Sequence, residues 1–258
     1  MPNLSDKLKS LGVKVGARDL TPPVPHDAWP IARVMPGQVY ATPAGETYLV
    51  EASYPSPFNP GLQTADISSD AAGILPSMEI IAAWAGESRL QTNPLPAFAF
   101  LDIETTGFYP VHNEITVVGI YLTQGVSGRF IQLVGNKITG DAILESLQGT
   151  ANLYTYNGHR FDLPFIRARH GVNLEVEFKH CDLIHHCWKN NLYGGLKKVE
   201  ICLGIARQVK EVDGYEAVKL WWRYVEYGDY IALRKLLDYN KEDVVNLKTL
   251  KERLLPEL

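Results

Sequence analysis

The chain has 258 residues, 46% of them hydrophobic and 21% charged, a composition that supports a sizeable core in one large domain or one domain with an appendage. A net charge of −4 excludes the global basic field of a nonspecific nucleic-acid coat, although basic residues gather between Arg160 and Arg223 and can form a local patch. Three cysteines are too few and too irregular for a disulfide framework, no run reaches the roughly 18 apolar residues of a membrane span, and MPNLSDKLKS lacks a signal-peptide core, so a cytoplasmic protein with no membrane partner is expected.

Proline recurs throughout residues 1–95, which reads as an extended arm or small subdomain. Within it, QVYATPAGETYLVEASY predicts a β-hairpin turning at Pro43-Ala44-Gly45, and Ser68 to Gly86 predicts one or two short helices. Residues 96–258 are more regular. AFAFLDIET, EITVVGIYLT and GRFIQLVG are β-rich apolar runs joined by short links, which predicts three antiparallel neighbours. A helix (Asp141 to Leu147), a strand (Asn152 to Tyr156), a helix (Leu163 to His170) and a strand (Phe178 to Leu183) follow. Beyond Asp182 the pattern is helical to the end, including Tyr215 to Tyr227 and Tyr230 to Leu255.

The first strand carries Asp102 and Glu104, two acids at i and i+2 that share one face. Buried side by side they repel, and a divalent cation is the usual remedy; two solvated acids on an exposed strand are the bland alternative. In TYNGHRFDLPFI, Asp162 precedes Leu163-Pro164, which places it at a helix N-terminus, where plain capping would also explain it. In DYNKEDVVNL, Tyr239 and Asp243 stand four apart on one helical face, a spacing that alone is common surface decoration.

In order, D-x-E-T, N-G-x-x-F-D and Y-x-x-x-D resemble the motifs of the DEDD superfamily of 3′→5′ exonucleases, in its tyrosine subclass, DEDDy. GQVYATPAGETYLVE, FAFLDIETTG, VEICLGIARQ and LDYNKEDVVNL narrow the resemblance to the YprB-type RNase H-like family. The chain carries no tandem-repeat extension of the kind attached to some relatives, so no function of that extension is expected. The resemblance implies an α/β, RNase H-like mixed sheet, three antiparallel strands then α/β units, with flanking helices and the N-terminal arm. It also implies two ions, Mg²⁺ or Mn²⁺, and a nucleic-acid substrate with a free 3′ end, expected to be single-stranded DNA.

On the family pattern Asp102 touches both ions, Glu104 and Asp243 the ion holding the attacking water, and Asp162 mainly the second. Tyr239 orients the water; an ordinary phenol titrates near 10, so a base role there requires a nearby cation. Thr105, Asn157, His159, Arg160 and Phe161, beside the motifs, and Lys197 and Lys198, after Gly194-Gly195, are the candidate nucleic-acid contacts. No obligate protein partner is evident. A catalytically silent nucleic-acid-binding module, an endonuclease on the same fold and an RNA exonuclease are the competing readings.

HCDLIHHC invites a zinc reading, but its spacing fits no standard zinc pattern. Buried cysteines at a strand-to-helix junction, with Asp182 capping the helix, are expected instead. Of the adjacent Trp221 and Trp222, one is expected in the core.

Overall fold

The computed structural model describes residues 37–42, 45–54, 97–124 and 127–255. The hairpin is present as β1 (Gln38–Thr42) and β2 (Gly45–Tyr54), and the three apolar runs are β3 (Ala97–Thr105), β4 (Ile115–Gln124) and β5 (Ser127–Val134). The helices expected between Ser68 and Gly86 lie outside the described residues. After β5 come α1 (Gly140–Ser146), β6 (Thr150–Thr155), α2 (Asp162–His170), α3 (Leu174–Glu177) and β7 (Lys179–Asp182). The chain ends in α4 (Leu183–Lys189), α5 (Leu196–Leu203), α6 (Gly214–Tyr227) and α7 (Tyr230–Leu254).

The strands among the described residues form one seven-stranded sheet in the order β1-β2-β5-β4-β3-β6-β7. β3, β4 and β5 are antiparallel neighbours, as their short links dictate, whereas β6 runs parallel to β3 and β7 parallel to β6 after helical crossovers. The hairpin is continuous with this sheet: β2 pairs antiparallel with β5 and buries Tyr48, Leu49 and Val50. Thr47 Oγ1 fastens it further by donating to the Val134 carbonyl at 2.7 Å.

Both sheet faces are covered, which is why β3 and β4 are apolar almost throughout rather than alternating. Ala99, Leu101 and Ile103 of β3 join a core with Ile143 of α1, Phe165 of α2 and Leu174 of α3. Phe100 points the other way, into a cluster with Leu183, Val244 and Leu247. Asp102 and Glu104 follow the period of two and share Phe100's side, facing α7. A register shift between Glu104 and Thr105 in the β3–β4 pair ends regular pairing at the second acid.

The helical tail is more divided than its pattern suggests. Gly204 and Gly228, each at φ 64°, close α5 and α6 in the left-handed conformation that glycine adopts without a Cβ penalty. Asp213 and Asp229 then cap α6 and α7, Asp229 accepting from Ala232 N at 2.9 Å. α3 has four residues, too few for a periodic signal. Trp221 is buried, and Trp222 is half-buried with its indole N–H donating to the Thr106 carbonyl at 3.5 Å. Among the described residues, no helix is long and apolar enough to cross a membrane.

Candidate active site

The site forms where β3 and β6, parallel neighbours, reach their carboxyl ends beneath α7. This is the usual position for a ligand crevice in α/β sheets. Asp102 and Glu104 rise from β3, Asp243 descends from α7, and one carboxylate oxygen of each lies within 4.8 Å of the others. Three hard anionic donors converging at that separation suit a divalent cation. Glu104 Oε1 reinforces the fit, being a buried oxygen with no hydrogen-bond partner.

Asp162, the first residue of α2, adjoins this trio by another route. Its Oδ1 accepts the backbone N–H of Ile103 at 3.0 Å, tying the helix start to the strand between the two acids. Asp162 is therefore not the helix cap: the N-cap is Phe161, which makes no side-chain cap bond, and the Asp162 carboxylate reaches β3 instead. Asn157 holds φ at 62° in the preceding turn, and Asp182 fastens that turn by accepting from Asn157 N at 2.7 Å and His159 N at 3.1 Å. Asp182 also caps α4 through Ile184 N at 3.2 Å, as expected. Cys187 is buried and Cys181 half-buried beside it; among the described residues the three-ligand cluster is the one at Asp102, Glu104 and Asp243.

Tyr239, one turn before Asp243, lines the same cleft beside the Asp243 carboxylate. Two cations lie near its ring, Lys197 Nζ 4.9 Å from the centroid and the Arg207 guanidinium carbon 5.2 Å away. Thr105, Asn157 and Phe161 also line the cleft. His159, Arg160 and Lys198 do not: His159 Nδ1 contacts Glu175 at 2.6 Å, Arg160 lies 5.7 Å from the Trp188 ring, and Lys198 packs at Gly194.

Two further elements of the site escaped the sequence reading. Arg207, whose side chain is only 8% exposed, bridges three acids, donating to Asp243 Oδ1 and, at 2.7 Å, to Glu200 Oε2, with Glu242 at 3.5 Å. Asn240 donates to Asp102 Oδ2 at 3.0 Å. Several expected basic residues prove to be spent within the chain as well: Arg169 pairs with Glu114, Lys219 with Glu216 and Arg223 with Asp229.

Burial, reinforced by the neighbouring carboxylates, raises Asp102 and Glu104 well above the usual carboxylate range. Burial also lifts Asp162 to about 7 against the pull of the Ile103 N–H, and Asp243 to about 6 against the pull of Arg207. Tyr239 is pushed upward by burial and then by Asp243, Glu104 and Asp102, so its hydroxyl is a donor at neutral pH. Asp102 and Glu104 therefore retain protons that a cation would displace.

Comparisons with known proteins agree with this architecture. The chain is 30% identical over 168 residues to the uncharacterized protein YprB of Bacillus subtilis (strain 168), a match covering 58% of this chain and 40% of that protein. A family B DNA polymerase from Pyrobaculum calidifontis superposes with a TM-score of 0.50 at 16% identity, over 63% of this chain and 25% of the polymerase. Brucella melitensis NrnC with bound Mg²⁺ superposes with a TM-score of 0.39 at 18% identity, over 63% of this chain and 74% of that one. The chain thus spans less than half the length of YprB and a quarter of the polymerase. Residues 99–255 match the family described as the RNase_H superfamily. With its mixed sheet, flanking helices and acidic cluster in an RNase H-like nuclease fold, the chain belongs to the RNase_H superfamily.

Proposed function

We propose that the chain is a divalent-cation-dependent 3′→5′ exonuclease of the DEDD tyrosine type, acting on single-stranded nucleic acid, with DNA the first candidate. The observation that carries this reading is the convergence of half-buried Asp102 with buried Glu104 and Asp243 within 4.8 Å in a cleft that Asp162 and Tyr239 also line. Those three acids would hold the cation, with Asp162 serving a second one across Ile103. Mg²⁺ or Mn²⁺ bound there would supply an activated water and stabilisation of the leaving 3′ oxygen. Tyr239 offers a hydroxyl donor beside Asp243, and Lys197, poised over its ring, can neutralise a scissile phosphate. Residues 1–95 act as an arm whose hairpin extends the sheet of the catalytic domain, residues 96–258.

The test is degradation of matched single-stranded DNA and RNA oligonucleotides, labelled at either end, with Mg²⁺, Mn²⁺ or chelator. Stepwise shortening from the 3′ end that stops in chelator is the expected result. Cutting of a covalently closed circle would replace the reading with an endonuclease, and binding without cleavage would replace it with a silent binding module.

A further inference from the structure

Across the sheet, Asp102, Gly119 and Gln132 stand in one row, Asp102 opposite Gly119 on β4 and Gly119 opposite Gln132 on β5. Asn240 of α7 drops onto this row, fully buried. A Cβ at position 119 would lie 2.2 Å from Asn240 Oδ1, so the glycine is the notch that admits the amide. Gln132, also fully buried, donates through Nε2 to the Leu237 carbonyl at 2.9 Å and to Asn240 Oδ1 at 2.9 Å. Asn240 Nδ2 in turn donates to Asp102 Oδ2 at 3.0 Å and to the Asp102 carbonyl at 3.3 Å.

The polarity of this chain of amides is set at one end. The Leu237 carbonyl can only accept, so the Gln132 nitrogen must face it. The same nitrogen then faces Asn240, which obliges Asn240 to turn its oxygen toward Gln132 and its nitrogen toward Asp102. A reversed Asn240 would oppose an oxygen to a carboxylate and a donor to a donor. Both residues sit at zero exposure, where such mismatches are most costly.

We infer that Gln132 and Asn240 form an amide relay whose task is to position Asp102, holding one carboxylate oxygen so that the other faces the cation position. This rests on the metal-holding role assigned to Asp102 above. Gln132 and Asn240 are positioning residues: they reach the reaction through Asp102. Polar groups that orient a metal ligand typically govern metal affinity by about 10–100-fold.

The experiment measures Mn²⁺ affinity by electron paramagnetic resonance in the parent, Asn240→Leu, Gln132→Met and the double variant, each checked for folding by circular dichroism. Both single variants should bind Mn²⁺ at least about tenfold more weakly, and the double variant should be no weaker than Asn240→Leu, because the relay is a single path. Gln132→Met lies one amide further from the acids and serves if Asn240→Leu fails to fold. Parental Mn²⁺ affinity in either folded single variant overturns the inference, as do additive losses in the double variant. If the parent binds Mn²⁺ and the variants bind it weakly while no nucleic acid is degraded, the exonuclease reading falls and the relay stands. If the parent binds no Mn²⁺, both fall.

Discussion

Arg207 reaches Asp243 across 36 residues of sequence and donates to its Oδ1, so one of the three clustered acids has a cationic partner supplied by the chain itself. The same guanidinium holds Glu200, which is almost fully buried and also accepts from Asn246 Nδ2 at 2.9 Å. Removing the cation strands two buried carboxylates. Arg207→Met should therefore cost about 3–5 kcal/mol in urea unfolding, the usual penalty for breaking a buried pair from one side. Arg207→Met/Glu200→Leu should recover much of that loss. A single variant as stable as the parent would show that the bridge contributes nothing.

The acids themselves should behave in the opposite sense. Asp102→Ala, Glu104→Ala, Asp162→Ala and Asp243→Ala should each nearly abolish hydrolysis while leaving the fold intact. Asp102 and Glu104 gain no cation of their own beyond the distant influence of Arg207 on Glu104, so their removal relieves burial and mutual repulsion. The melting temperature of these two variants in chelator should equal or exceed the parent's. Near-normal turnover in any two of the four would end the metal-site assignment.

A pH dependence follows from the same electrostatics. Asp162 moves from its ordinary 3.8 to about 7, and Asp243 from 3.8 to about 6. A folded-state pKa above the unfolded one means that the folded chain binds the extra proton in that interval, so unfolding free energy declines as pH rises through it. The contribution of Asp162 is fully present below 3.8 and is lost by about 7. In chelator, urea midpoints measured across that range should fall with rising pH, and Asp162→Asn should flatten the decline. Saturating Mg²⁺ should restore stability at the alkaline end. A parent whose midpoint rises with pH in chelator while Asp162→Asn does not differ from it would contradict the raised titration.

The acids were legible in the sequence because each obeys a local rule. Asp102 and Glu104 share a face by strand alternation, Asp162 precedes a proline-started helix, and Tyr239 and Asp243 are one helical turn apart. The antiparallel pairing of β3, β4 and β5 followed from link length in the same way. The residues that tune those acids obey no such rule. Asn240 meets Asp102 at a separation of 138 residues and Gln132 at 108, and Arg207 stands in a loop whose basic neighbours give it no distinction. A single glycine in β4 was the local trace of the Asn240 contact, and it reads equally well as an unremarkable strand residue. The hairpin was readable as a hairpin, but its union with β5 depends on a pairing between distant segments that no local pattern encodes.

The role proposed for Tyr239 differs from that of the acids around it. It lines the cleft beside Asp243, Lys197 and Arg207 both lie near its ring, and burial keeps it protonated at neutral pH. As a neutral donor it can orient a nucleophilic water or the Asp243 carboxylate, and it is not a hard-cation ligand of the kind the carboxylates are. Tyr239→Phe keeps the ring, and with it the contact with the two cations, while deleting only the hydroxyl. The fold and Mn²⁺ affinity should stay close to the parent's. A positioned acid–base group typically contributes about 10²–10⁴-fold, less where a cation has already acidified the water, so turnover at saturating metal should fall by about that range or its lower end. KM should change little, because the hydroxyl is assigned to the chemical step rather than to substrate binding. Equal turnover for Tyr239→Phe and the parent across the pH range would remove the hydroxyl from the mechanism and leave Tyr239 as a ring packed near Lys197 and Arg207.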